Sequence, residues 1–313
     1  MGAMHRVRGG ADDGHLRPRG ADAATGAAGA PGDGPSARAR IGALARLELG
    51  DVLRSRWLLF CAGMYAVLAA LFVLVGLRES TVVGFTGMDR VLLSVTHALV
   101  LLLPLLALSG TGLVVNRARE DGTLELLFSH PVTRADYYAA VTLVRFGALL
   151  LPLLVLMPGL AIAGTLLFGQ GVPWAFVARA LVVSAALLWS FTGIGLAIST
   201  RVREPARAMM YVLLAWVLGV ALLDFGLIGV MLQWQLPAWM VFALATLNPV
   251  ETARLALLSG AEPTLATLGP VGLFAAQRLG AGMLFTLGVA WPILLGTGCW
   301  LSGWRRFRRG DLV

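Results

Sequence analysis

Residues 119–134, REDGTLELLFSHPVTR, interrupt a chain otherwise built from membrane-length apolar runs. Asp121 is read as an N-cap, Gly122 as a sharp turn into a helix and Pro131 as a stop, so the pattern predicts one short helix over residues 123–129. Leu124, Leu127 and Phe128 then fall at i, i+3 and i+4 on one face, opposite Thr123 and beside Glu125. A stub with an apolar stripe and one carboxylate is a shape that a soluble partner can hold in a groove, and it points to transport. An ordinary interhelical loop is the alternative.

The 313 residues are 58% hydrophobic and 13% charged, with a mean hydropathy of +0.80. Soluble domains are about half apolar and about a quarter charged, so this composition describes a polytopic membrane protein. All 25 basic residues are Arg. With no Lys there can be no P-loop lysine, Schiff-base lysine or lysine general base, so the chain is not read as an enzyme. If ATP drives this protein, another chain binds it.

Cys61 and Cys299 both lie in apolar runs, where they read as small packed hydrophobes. His5 and His15 sit in a polar tail, His97 in an apolar run and His130 in the stretch quoted above. No HExxH, CxxC or clustered His/Asp/Glu spacing occurs, so no metal site is predicted. The formal net charge of +8 comes from Arg residues beside apolar runs. They orient a protein in a membrane rather than bind nucleic acid.

Residues 1–40 carry almost no large apolar side chain, which predicts a disordered tail without the apolar core of a signal peptide. Residues 41–313 then read as one membrane domain. It opens with an amphipathic segment over 41–56, setting Leu44, Leu47 and Leu53 against Arg46, Glu48, Asp51 and Arg54, an elbow lying in the membrane interface. A membrane helix needs about 20 mainly apolar residues, and six runs qualify: 57–77, 91–115, 138–168, 177–198, 208–231 and 282–301. In the third, Arg145 is placed to snorkel to the interface and Pro152 and Pro158 to kink the helix.

One set of connecting segments is Arg-rich: Arg46, Arg54 and Arg56; Arg117, Arg119 and Arg134; Arg201, Arg203 and Arg207; and Arg305, Arg306, Arg308 and Arg309. The other set holds only Arg78, Arg90, Arg179, Arg254 and Arg278. Positive segments stay inside, which predicts both termini and the quoted stretch in the cytoplasm. The connection between the fifth and sixth spans is too long for a simple turn. Asn248, Pro249 and Glu251 read there as N-cap, N1 and N3 of a capping box, opening a helix through Arg254 and Leu258 to Gly260. A second stretch, 264–279, reads as broken by Gly269 and Pro270. The whole segment is either a lid or docking surface on the outer face or interfacial packing.

This order of elbow, span pair, E-x-G-T-L-E helix and four further spans, with an outer helical segment before the last, resembles the ABC-2 family of exporter permeases. The resemblance covers nearly everything from Ile41 onward. DGTLELLFSHPVTR, residues 121–134, matches the family's coupling-helix pattern. It implies an all-α membrane fold and a homodimer in the bacterial inner membrane. It also implies a cytoplasmic ABC ATPase subunit that carries the ATP and Mg and is seated on Gly122, Thr123, Leu124, Glu125, Leu127, Phe128, Pro131 and Arg134. Within the family, ARLELGDVLRSRW (45–57), LLDFGLIGV (222–230) and LNPVETARLALLSG (247–260) look closest to the permeases that serve maturation of nitrous oxide reductase. That likeness implies a periplasmic partner and assembly of a copper-sulfur centre through movement of a sulfur species. The alternative is an exporter of a drug, lipid or other hydrophobic substrate.

An integral membrane enzyme would need ionisable groups converging at one depth, and only His97 and Asp224 lie within spans. An ionisable group deep in a bilayer costs about 2.5–3.5 kcal/mol on insertion scales. Asp224, Asn248, Pro249, Glu251 and Arg254 are therefore read as a candidate outer gate or partner contact, against a merely wetted interfacial aspartate. His97 reads as packed rather than as a copper ligand. The small residues Ser109–Thr111 with Gly112, and Ser190, Thr192, Gly193 and Gly195, either pack helices closely or line a route through a dimer.

Overall fold

The structure, a computed structural model, describes residues 36–80, 87–168, 174–222, 237–261, 265 and 269–310. All regular structure among them is helical. The order is α1 (Ala37–Arg54), α2 (Arg56–Ser80), α3 (Gly87–Thr111), α4 (Val114–Glu120), α5 (Thr123–Phe128), α6 (Arg134–Phe168), α7 (Trp174–Arg201) and α8 (Pro205–Trp216). A π-helix, Val217–Leu222, continues α8, and α9 (Ala238–Thr246), α10 (Pro249–Ala261), α11 (Gly269–Arg278) and α12 (Gly280–Arg309) follow.

α7 is the axis of the bundle. Val183, Ser184, Ala186, Leu187 and Leu188 are all buried, which no one-sided helix achieves. The helices α3, α6, α10 and α12 pack around it. α6 shows the opposite pattern, with Leu151, Val155 and Leu166 exposed, as expected of a helix with one face to lipid. Close approach in a bilayer depends on small residues: a Cβ on Gly193 of α7 would collide with the carbonyl of Gly296 in α12, and one on Gly195 with Thr111 of α3. The small-residue clusters in α3 and α7 therefore act at helix crossings. Tryptophan N–H groups are satisfied between helices, Trp189 of α7 by Thr297 Oγ1 of α12 at 3.0 Å and Trp300 of α12 by Thr142 Oγ1 of α6 at 2.9 Å, as a medium without water requires.

Four helices are long and apolar enough to cross a membrane: Ala98–Glu120, Arg134–Leu166, Trp174–Arg201 and Gly280–Arg309. Up to six are reached if two bent pairs each count as a span, Ala37–Arg54 with Arg56–Leu71 (65°) and Trp239–Thr246 with Pro249–Gly260 (113°). The first pair covers the residues read from sequence as an elbow and a first span. The second is sharply folded and belongs to the segment read as an outer appendage. The span expected over 208–231 is described only to Leu222, and Pro152 and Pro158 lie inside the continuous helix α6.

Two expectations change. The elbow buries Leu44 and Val52 while Leu47 and Leu53 are exposed, because Glu48 turns inward to meet a cation. That cation is Arg145, the residue read from sequence as reaching the interface. Gly269 and Pro270 open α11 rather than break it, as suits a proline at a helix start.

Candidate functional site

The stretch that interrupts the apolar pattern forms a corner of two short helices. α3 ends at Thr111, and after a short turn α4 begins at Val114. The break frees backbone groups that α7 satisfies. The N–H of Val115 donates to Ser199 Oγ at 2.9 Å, Ser199 Oγ donates to Asn116 Oδ1 at 2.9 Å, and Asn116 Nδ2 donates to the carbonyl of Val202. Asn116 and Ser199 are fully buried, so this knot fixes α4 to the end of the central helix.

Between α4 and α5 the chain reverses at Gly122, with φ 67°. Gly122 is the N-cap of α5. Asp121 instead closes α4, its N–H donating to Arg117 O at 2.9 Å. A left-handed N-cap selects glycine, where a capping aspartate would need extended backbone.

α5 ends at Phe128. Its apolar stripe faces its own subunit: Leu124 is 1% exposed and Leu127 and Phe128 are half-buried against Tyr137, Tyr138 and Phe307. Phe128 meets Tyr137 edge-on at 6.2 Å between ring centroids. The outward face is Thr123, Glu125 and Leu126, followed by Ser129, His130 and Pro131, all exposed, with Leu126 at 72%. The i, i+3, i+4 periodicity was legible, but a stripe of this kind marks a buried side without saying what buries it.

The following loop is tied down at two points. Thr133 and Asp136 form a capping box at the start of α6, Asp136 N–H to Thr133 Oγ1 and Thr133 N–H to Asp136 Oδ2, both 3.2 Å. Arg40 of α1 also donates to Asp136 Oδ2 at 2.8 Å. Arg134 Nη1 donates to the carbonyl oxygens of Phe307, Arg308 and Gly310 at 3.2, 3.0 and 2.7 Å. A cation at the last carbonyls of a helix satisfies orphan acceptors and the helix dipole together.

Behind this corner lies a cavity of about 320 Å³, lined by Glu48, Asp51, Trp57, Arg117, Thr123 and Arg145 among others. Arg145 Nη2 is 2.7 Å from Glu48 Oε1 and its guanidinium lies 5.4 Å from the Trp57 ring centroid. Trp57 Nε1 donates in turn to Ser109 Oγ at 3.1 Å. Helices α1, α2, α3 and α6 thus share one polar junction.

The second candidate group lies at the opposite end of the bundle. Asn248 Oδ1 accepts the Val250 N–H at 2.9 Å, so it is the N-cap of α10, and Pro249 is the first helical residue. Its Nδ2 donates to Gly219 O in the π-helix at 2.8 Å. Glu251 pairs with Arg254 at 3.0 Å within α10, and the Asn248 N–H goes to Ala245 O. α10 runs through Gly260 to Ala261 and is buried along most of its length, with Val250, Thr252, Ala253 and Ala256 all at 0% exposure. It packs into the core of the bundle. Asp224 lies outside the described residues, as does the side chain of His97.

Sequence reasoning missed Arg179. It donates from Nε to Ala256 O and from Nη2 to Ser259 Oγ and Ala281 O, each at 2.9 Å, and lies 4.7 Å from the Phe285 ring centroid. It joins α7, α10 and the start of α12. The one available signal was an Arg in the segments otherwise poor in them. Among the described residues no group of three His, Cys, Asp or Glu could hold a metal ion.

The sequence profile of the ABC-2 family transporter proteins matches residues 42–312. A probable ABC transporter permease protein NosY from Stutzerimonas stutzeri is 30% identical over 265 residues, 79% of this chain and 92% of that protein. A protein of the same description from Pseudomonas aeruginosa is 30% identical over 237 residues, 71% of this chain and 83% of its own length.

Proposed function

This chain belongs to the ABC-2 family of transporter permeases, and from that membership we propose that it is the membrane subunit through which a separate ATPase drives maturation of nitrous oxide reductase. It works as a homodimer among inner-membrane lipids with both termini in the cytoplasm. A NosF-like ATPase subunit carries ATP and Mg, and a NosD-like periplasmic subunit receives what is moved, a sulfur species for the copper-sulfur centre. The NosY likeness over most of both chains supports this reading against a drug or lipid exporter.

One observation supports the coupling role above the others: α5 is rigidly seated on its own subunit while presenting Glu125 and Leu126 outward. A push on α5 meets Tyr137 at the start of α6 and Phe307 near the end of α12. α12 then carries it along the bundle to Arg179 and α10 at the other end. The absence of Lys agrees with hydrolysis residing on the partner.

Deletion of the gene tests the reading. Reductase from the deletion strain is expected to be exported with its electron-transfer copper centre but without the copper-sulfur centre, and complementation restores it. A complete catalytic centre and normal activity without complementation would sink the assignment and leave the exporter alternative.

A further inference from the structure

At the end of the bundle opposite α5, Arg179 is held firmly while part of its guanidinium goes unused. Its Nε and Nη2 donate to neutral acceptors, Ala256 O, Ser259 Oγ and Ala281 O, each at 2.9 Å. Ser259 Oγ is itself fixed by donating to Ala256 O at 2.9 Å. The stem is packed, since a Cβ on Gly260 would lie 2.8 Å from Arg179 Cδ, and the Phe285 ring covers the guanidinium at 4.7 Å. Nη1 makes no hydrogen bond among the described residues and is not sealed by the chain, so both of its N–H groups stay within reach from outside. No carboxylate among the described residues shares the charge. Glu251, the one acid of α10, pairs with Arg254, and the sequences of α7 and α12 contain no acid.

Beside these donors lies an apolar groove of about 290 Å³ between α7 and α12, lined by Ala175, Ala178, Val182 and Phe285 together with Arg179 itself. Ala175 and Ala178 are exposed and Val182 is 46% exposed, so the groove runs along the outside of the bundle, a surface that a membrane protein gives to lipid. Trp174, the first residue of α7, is 53% exposed, and outward tryptophans gather at the level of the headgroups. Arg179 follows at about 7.5 Å along the axis, and helical side chains lean back toward the N-terminus, which brings its guanidinium near that level. A cation at the rim of an outward apolar groove complements a phosphate joined to acyl chains. We propose that Arg179 and this groove form a phospholipid site, with Nη1 donating to headgroup phosphate oxygens and an acyl chain lying along Ala175, Ala178 and Val182. The bound phosphate would supply the anion missing from a cation that joins α7, α10 and α12. The site needs a bilayer but not the coupling role of α5.

Native mass spectrometry of the purified permease tests this, titrating dimyristoyl phosphatidylglycerol, dimyristoylglycerol or inorganic phosphate onto the unmodified chain, Arg179→Gln, Arg179→Lys and Ala178→Trp. Tight binding of one phosphatidylglycerol per chain is expected, with dimyristoylglycerol and phosphate far weaker because each offers only part of the ligand. Arg179→Gln should weaken phosphatidylglycerol binding by about tenfold or more, as loss of charge-assisted hydrogen bonds does, with Arg179→Lys in between. Ala178→Trp fills the groove from an exposed position and removes no bond of Arg179, so its loss of the lipid decides the matter if Arg179→Gln fails to fold. Leu126→Asp, which tests the coupling role, should bind the lipid normally, so the two readings fail in different measurements. Phosphatidylglycerol binding that survives Ala178→Trp unchanged overturns the proposal, as does dimyristoylglycerol binding with equal affinity. Equally tight binding of phosphate alone would assign the guanidinium to a free anion and overturn it. So would dissociation of the permease dimer in Ala178→Trp, which would assign the groove to the second copy.

Discussion

Arg134 Nη1 donates to the carbonyl oxygen of Gly310 at 2.7 Å, tying the residue that closes the loop after α5 to the end of α12. The same nitrogen reaches Phe307 O and Arg308 O, so one cation holds three acceptors at a helix C-terminus. Arg134→Ala is expected to cost about 1–3 kcal/mol of stability, the usual range for losing hydrogen bonds to a charged group. Arg134→Lys should recover part of this, having the charge without the planar fork. Denaturation in detergent, followed by tryptophan fluorescence, measures both.

Gly122 makes a sharper case because only backbone is involved. At φ 67° a Cβ would meet nothing within 4 Å, so the cost of Gly122→Ala is conformational, about 1–2 kcal/mol. Gly122→Asn should cost less, since asparagine tolerates this region, and Gly122→Val more. A ranking Asn, Ala, Val in melting temperature is the expected result, and equal values for all three would mean the turn is not left-handed.

Glu48 and Arg145 are both largely buried, with side chains 12% and 16% exposed. Removing one partner leaves the other charge stranded, at about 3–5 kcal/mol, whereas replacing both with apolar residues is often near neutral. Glu48→Leu and Arg145→Met should each destabilise strongly, and the double variant should lie much closer to the unmodified protein. A double-mutant cycle on melting temperatures reads the coupling directly. Additive losses would show that the pair contributes nothing as a pair.

These junctions mark what could be read from sequence and what could not. The short helix followed from Pro131 and the turn before it, and Asn248 was legible as an N-cap because Asn-Pro before an apolar run is a local signal. The side of α5 left exposed was not legible, since Leu124, Leu127 and Phe128 are buried by residues such as Phe307, far away in sequence. Asp121 and Gly122 compete for one capping position, and backbone handedness decides between them. Arg145 and Arg179 meet their partners only through helix packing. A charge-counting rule orients segments but says nothing of side-chain company. The same holds for α10, whose hydrophobicity suited an interface and whose burial comes from α7 and α12.

Leu126 and Leu127 are neighbours in sequence with opposite fates. Leu127 packs against the aromatic cluster of its own subunit, so Leu127→Asp buries a carboxylate among apolar groups and should destabilise the permease itself. Leu126 is 72% exposed, so Leu126→Asp should leave melting temperature within about 0.5 kcal/mol of the unmodified protein, as surface changes do. Its effect belongs instead to association: burying one leucine at an interface contributes about 1.5–3 kcal/mol, so binding of the ATPase should fall by roughly tenfold or more. Glu125→Ala should weaken binding less, since a rim carboxylate contributes little. Copurification and nucleotide turnover of the complex, measured beside melting curves of the permease, separate the two effects. If Leu127→Asp melts normally and loses only its partner, α5 faces the other way from the geometry described above. If Leu126→Asp leaves association and turnover untouched, the outward face of α5 is not where the ATPase sits.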